Sequence, residues 1–228
     1  MYSLTVTFTI VITVCAYVAC RALYLRYGHP LLNIVVLSAG VVIAILALCR
    51  MPYQTYVPGR DIMTFLLGPA TVGLAVPLYR NRHLLRKYAL AIVLSVAAGA
   101  LSAMVTAGLI ARFGGLPQEV VMSIVPKGVS IPFAIEIARL YDGIPALAAA
   151  FVVATGTLGS LMGATFLTRL GITNPVARGL ALGTVSHAQG TAAALMEGQE
   201  QGSMAGLAMI LAGILTALFA PMVMLILN

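Results

Sequence analysis

Lys127 lies between two apolar runs, roughly where the middle of a membrane segment would fall, in Val125-Pro126-Lys127-Gly128-Val129-Ser130-Ile131-Pro132. A lysine at bilayer depth costs about 3 kcal/mol. Two chemistries fit it: a buried cation that meets an anionic substrate, or a side chain that snorkels to an interface near a hairpin tip. Ser130 and Pro132 mark a helix start, since proline suits the first turn and a serine before it can accept from free amides. A half-helix starting there points its amides and its positive dipole end at the break, which attracts an anion. A second polar stretch, Leu182-Gly183-Thr184-Val185-Ser186-His187-Ala188-Gln189-Gly190-Thr191, supplies Thr184, Ser186, His187, Gln189 and Thr191 as donors and acceptors for hydroxyl and carboxylate groups. His187 can shuttle a proton, or it can be a packing histidine bonded to a backbone carbonyl. Glu136 is open to three roles: a partner of Lys127, an i,i+3 partner of Arg139, or a coupling-proton site. Paired interruptions of this kind point to a transport site.

The elements that must position these groups are membrane helices. Of 228 residues, 61% are hydrophobic and 8% charged, with mean hydropathy +1.04. A globular chain carries about 25% charged residues. Six long apolar runs, residues 3–20, 30–49, 61–79, 88–111, 144–168 and 203–227, predict transmembrane helices. The third contains Gly68-Pro69 and Pro77 and is expected to kink. Met51 to Arg60 reads as a loop. Residues 117–142 and 176–198 are broken at 126–132 and 183–191. Each half of the first is some 8 to 10 residues, or about 12–15 Å of helix, half of the roughly 30 Å hydrocarbon core.

Val129-Ser130 and Val185-Ser186 match at an offset of 56 residues. Gly156-Thr157-Leu158 and Gly213-Ile214-Leu215 match at 57. The expected fold is therefore an all-α integral membrane protein, one domain over 1–228. Four helices fill 1–112, followed by two units, 117–170 and 176–227, each a broken segment and a long helix. If the broken segments re-enter, the units form an inverted repeat; if they span, the units are parallel. With the basic 80–87 loop inside, re-entry puts 8 Lys/Arg inside and 4 outside, and spanning puts 7 against 5. The positive-inside bias favours re-entry and an external N-terminus.

Other classes are weakly supported. The net charge of +7 lies in short loops between apolar runs, not in a nucleic-acid-binding patch. Cys15, Cys20 and Cys49 have no CxxC spacing. The histidines are too scattered for a metal constellation, and no P-loop, GxSxG or catalytic carboxylate pair occurs. An enzyme and a cofactor are not expected. Met1 to Ala19 lacks a basic leader and a cleavage site, so it reads as a retained helix. Glu197 and Glu200 are expected in a solvated loop.

The residues that carry a resemblance are Ser123 to Pro132, Gly143-Ile144-Pro145-Ala146, Ala177 to Ala192, Pro30-Leu31-Leu32-Asn33 and Pro77-Leu78-Tyr79. On these the chain resembles the LrgB/CidB family over most of its length. The resemblance implies two functions. One is that of antiholin-like proteins, said to affect murein hydrolase export and autolysis with a smaller holin-like (LrgA/CidA-like) membrane partner. The other is transport of glycolate, glycerate or pyruvate, as in plant and bacterial relatives. Ser130-Ile131 stands where such proteins often have two hydroxyl residues, and Ala193 where a basic residue is common. A multi-pass protein of the cell (inner) membrane is expected. It would be a secondary transporter of small monocarboxylates with its site at the two breaks, or an antiholin-like regulator. A homodimer is compatible with the small-residue fourth helix.

Overall fold

The computed structural model describes residues 2–27, 34–66, 79 and 82–227. All regular structure among them is helical. The chain divides into two compact units, Met1–Val76 and Pro77–Asn228.

The first unit contains α1 (Tyr2–Tyr27), α2 (Ile34–Leu48) and α3 (Tyr53–Phe65). Ala16, Val42 and Leu46 form its buried seam. Gly59 lets α3 lie against Thr9 of α1, where a Cβ would strike the threonine side chain. The Thr13 and Tyr56 hydroxyls share a hydrogen bond of 3.1 Å. The expected loop at 51–60 is corrected here: helix begins at Tyr53, after Pro52 in extended conformation. Two prolines and a glycine in that stretch read as breakers. Pro52 instead precedes the first turn, where no donor is needed, and Pro58 removes only one early intrahelical bond. The expected kinks at Gly68-Pro69 and Pro77 lie outside the described residues.

The second unit contains α4 (Arg82–Phe113), α5 (Gln118–Ile124), a 3₁₀ turn (Val125–Gly128), α6 (Ile131–Leu140), α7 (Pro145–Arg169), α8 (Pro175–Glu197) and α9 (Gln199–Leu227). α4 and α7 end alike. Gly115 and Gly171 adopt φ of +71°, and the next amide closes back on Ala111 O and Leu167 O respectively. This is the Schellman stop that glycine permits.

Neither broken segment runs straight. Arg178 and Glu197 are 19 residues apart in sequence, yet the guanidinium and carboxylate are 2.6 Å apart. Nineteen residues of straight helix would separate them by about 28 Å. α8 therefore turns back at His187, and Gly190 lies against Leu182 O. Likewise the Ile144 amide donates to Ser123 Oγ at 2.7 Å across 21 residues, so the chain has turned back between α5 and α6. The feet of the first hairpin lie by the C-terminal end of α9, because Gln118 Nε2 donates to Leu227 O at 3.0 Å. The feet of the second lie by the N-terminal end of α9, because Gly179 abuts Gln201 O.

Four helices, including α7 and α9, contain stretches long and apolar enough to cross a membrane: Leu4–Tyr27, Arg86–Phe113, Pro145–Arg169 and Gln199–Leu227. Against six expected long spans, four stand among the described residues. α2, at 15 residues, covers only about 22 Å, and most of the third run lies outside them. These helices make the chain a membrane protein.

The second hairpin packs backbone to backbone on α9. A Cβ on Gly183 would meet the backbone of Ala205, its Cα at 2.6 Å. Gly183→Ala is expected to cost about 1–3 kcal/mol by overpacking. Gly40→Ala, in α2 with nothing within 4 Å, is expected to gain about 0.5–1 kcal/mol. Thermal unfolding of both variants in detergent checks the opposite signs.

Candidate functional site

The first break is built by its prolines. Pro126 (φ −82°, ψ 17°) ends the α5 ladder, and Val129 is extended. Ser130 holds the N-cap position of α6 and Pro132 lies in its first turn, but the serine makes no capping hydrogen bond. Its expected capping contact is therefore absent, although the helix starts where expected. Lys127 is half-buried, and among the described residues no carboxylate lies within 4 Å of its ammonium. Glu136 pairs with Arg139 at 2.9 Å on an exposed face. Of the three roles open to Glu136 in the sequence, the i,i+3 pair is the one the structure contains.

The second break centres on His187, whose φ of 42° and ψ of −124° lie outside the regions comfortable for a side-chain-bearing residue. Strain of this kind costs about 1–3 kcal/mol and persists only where the surroundings hold it. Here they do. The His187 ring makes a 3.1 Å bond from Nε2 to Val152 O of α7. A carbonyl only accepts, so Nε2 carries the proton. Gly156 leaves the space for the ring, since a Cβ there would collide with Cε1. Thr191 Oγ1 donates to His187 O at 2.9 Å, a side-chain bond to the backbone across the turn that follows the break.

Gln189 and Ser186 face α7. Gln189 Oε1 accepts from Thr157 Oγ1 at 3.2 Å and from Ser160 Oγ at 3.5 Å. Ser186 Oγ is fully buried against Gly159 and has no hydrogen-bond partner among the described residues. Thr184 is buried, with its methyl against Gly99 of α4.

The two breaks meet. A Cβ built on Gly128, the residue after Lys127, would lie 3.9 Å from Thr184 O. A groove of about 540 Å³ runs between α4 and α8 from Tyr88 and Asn174 to Gly99 and Thr184. The first break thus meets the second at Gly128 and Thr184, whereas Ser186, His187 and Gln189 turn to α7. Thr191 serves the backbone, and Glu136 stands apart.

Sequence reasoning missed the strongest ion pair. Glu197 is not in a solvated loop; it ends α8 against Arg178, with side chains 11% and 19% exposed. All five guanidinium donors are used, on both Glu197 oxygens, Thr168 Oγ1, Ile172 O and Ala164 O. One signal was present: Arg178 and Glu197 are nearly equidistant from His187, which brings them together once the chain folds back there. Thr157 and Ser160 were also missed, because a hydroxyl in an apolar helix usually bonds its own backbone. Arg178 and Glu197 form the site's clamp.

Ser186→Ala is expected to leave unfolding stability unchanged or raise it by about 1–3 kcal/mol, since it removes an unsatisfied buried group. A clear fall in melting temperature would mean that the hydroxyl has a partner in solution.

Four apolar helices of crossing length and two hairpins whose tips meet define a multi-pass helical membrane protein with an interrupted-helix core. The LrgB-like family model matches residues 13–226. The chain belongs to that family. It is 35% identical over 210 residues to the uncharacterized protein YwbG of Bacillus subtilis (strain 168), covering 92% of this chain and 93% of that one. It is 36% identical to the uncharacterized protein YxaC of the same organism over 214 residues, 94% and 93% of the two chains. It is 29% identical over 217 residues, 95% of each chain, to the Holin-like protein CidB of Staphylococcus epidermidis (strain RP62A). No solved structure matches.

Proposed function

We propose that the protein is a secondary transporter of small organic anions of the monocarboxylate type, such as glycolate, glycerate or pyruvate, in the cell (inner) membrane. The observation that carries the reading is the meeting of two chain reversals at Gly128 and Thr184, beside a lysine with no carboxylate partner among the described residues. The feet of the hairpins lie by opposite ends of α9. That placement supports the reading of two re-entrant segments in an inverted repeat. Irregular backbone at membrane depth is tolerated only where it is buried in protein or lines a cavity, and paired broken helices place substrate sites near the mid-plane. Lys127 and the α6 N-terminus supply positive potential for a carboxylate, and the Thr184 hydroxyl is available for a second substrate group.

A second reading has more direct support from the comparisons. The family and the name Holin-like protein CidB favour an antiholin-like regulator; a small holin-like membrane partner and an effect on murein hydrolase export and autolysis are what the family resemblance implies for it. Uptake of labelled glycolate and pyruvate into proteoliposomes holding this protein alone separates the two. Saturable uptake supports transport. Control of lysis in cells, with no flux in vesicles, supports the regulator.

Topology is testable independently. The N-terminus and the α2–α3 connection are expected outside and the 80–87 segment in the cytoplasm, from the arginine and lysine count. In an otherwise cysteine-free variant, Arg82→Cys should resist an impermeant thiol reagent in intact cells and react in inverted vesicles. Labelling from outside reverses the assignment.

A further inference from the structure

The groove between α4 and α8 has the depth of one lipid leaflet. On α4 it runs from Tyr88 to Gly99, and on α8 from the N-cap Asn174 to Thr184. Tyr88 to Gly99 is about 16 Å of helix, and half of a hydrocarbon core is about 15 Å. The Tyr88 end lies at the membrane surface, since the apolar crossing stretch of α4 begins at Arg86. The Thr184 end lies where the two breaks meet. Between the ends the walls are mainly alanine, valine, leucine and isoleucine. Ser95, the one hydroxyl on the way, donates to Ile92 O of its own helix at 3.0 Å. The open volume is about 540 Å³. A helix 10–12 Å across occupies on the order of 1200 Å³ over that length, far more than the groove holds. A hydrocarbon chain is the occupant of the right width.

The mouth has the opposite chemistry. α4 bends at Tyr88 (φ −114°, ψ 16°), and just before the bend Arg82, His83, Arg86 and Lys87 are all exposed. Lys87 Nζ lies 5.1 Å from the centroid of the Tyr88 ring, so its ammonium stands beside the groove's own lining. Among the described residues no carboxylate lies within 4 Å of these cations. On the other wall, the connection that leads into Asn174 starts at the exposed Arg169. The carboxylates nearest in the chain are Glu197, held by Arg178, and Glu200 in the first turn of α9. The positive-inside bias accounts for cations in such loops. It does not account for an apolar groove, one leaflet deep, that opens beside them. Basic pockets between membrane helices recognise anionic headgroups, and a tyrosine at the rim suits the headgroup level.

We propose that the groove between α4 and α8 holds an acyl chain of an anionic phospholipid, with the headgroup phosphate against Lys87 and Arg86 at its mouth. This binding is independent of the transport reading. The test uses the purified full-length protein in detergent. Melting temperature is followed during titration with dioleoyl phosphatidylglycerol or dioleoyl phosphatidylcholine, which share their chains and differ in head charge. A saturable rise with the anionic lipid alone is expected. Lys87→Ala and Arg86→Ala should each raise the half-saturating lipid concentration by about 5-fold. Ala91→Phe and Ala177→Phe, at exposed positions on the two walls, fill the groove and should abolish the response. Native mass spectrometry should show one phosphatidylglycerol retained per chain and lost in both phenylalanine variants. Glycerol 3-phosphate, a head without chains, should change nothing. Equal rises with the two lipids overturn the anionic site. An anionic response or a retained lipid that survives both phenylalanine substitutions puts the lipid elsewhere and overturns the groove. A dimer that Ala91→Phe dissociates, seen by light scattering without any lipid-dependent melting, overturns it in favour of a second copy of this chain.

Discussion

Lys127→Ala is expected to abolish anion uptake, or reduce it by roughly 10- to 150-fold, while the protein still inserts and melts no lower. The range follows from the worth of one hydrogen bond to a charged group, about 1.5–3 kcal/mol. Removal of the lysine strands no carboxylate, since among the described residues none lies within 4 Å of it. Leaving the ammonium in place is the costly arrangement when no anion is bound. Glu136→Ala serves as the control: its carboxylate is paired with Arg139 on an exposed surface, a contact worth less than about 1 kcal/mol. The double variant should behave as Lys127→Ala alone. Restored uptake in the double variant would make the pair structural and remove Lys127 from the binding site. Uptake and melting temperature of the three variants, measured side by side, decide the matter.

The largest effect on stability is expected at the clamp. Glu197→Ala leaves a guanidinium that is 11% exposed without its carboxylate. Arg178→Ala strands the carboxylate and frees Ala164 O, Ile172 O and Thr168 Oγ1 as well. Breaking one side of a buried pair costs about 3–5 kcal/mol. Arg178→Lys should recover only part of this, because an ammonium cannot present five donors in a planar fork. Replacing both members with apolar residues of similar volume should cost less than either single change, since no charge remains unpaired. A double variant as unstable as the singles would show that the geometry, not the charge, holds the feet together. Denaturation in detergent measures all four.

Much of this architecture was legible in the sequence, because its causes are local. Pro126 and Pro132 stop and restart a helix by their own covalent structure, so the first break falls where it was expected. The apolar runs at 88–111, 144–168 and 203–227 became α4, α7 and α9, since length and hydrophobicity suffice for a helix in lipid. The second break was found as a polar stretch over 183–191, but its apex was not. Nothing in the residue type of His187 announces a positive φ; that conformation is imposed by Val152 O, Gly156 and Thr191 from outside. The 51–60 stretch failed for the opposite reason. Proline was read there as a breaker, whereas position within the first turns decides its effect. Pairings across long separations, such as Arg178 with Glu197 and Thr157 with Gln189, depend on the turn back and so stayed hidden until the reversal was known.

The clamp also has an order in time. Arg178 leaves the ribosome 19 residues before its counter-charge. For that interval the nascent segment carries a bare guanidinium at its leading foot, the kind of charge that resists translocation. On the re-entrant topology proposed above, the foot is held on the side of synthesis while the apolar remainder of α8 enters the bilayer. Glu197 then emerges, and the pair closes only if the segment has doubled back. A segment that has crossed completely leaves both charges alone on opposite faces. On that topology the same two residues act first as an address for insertion and afterwards as a check that the address was read.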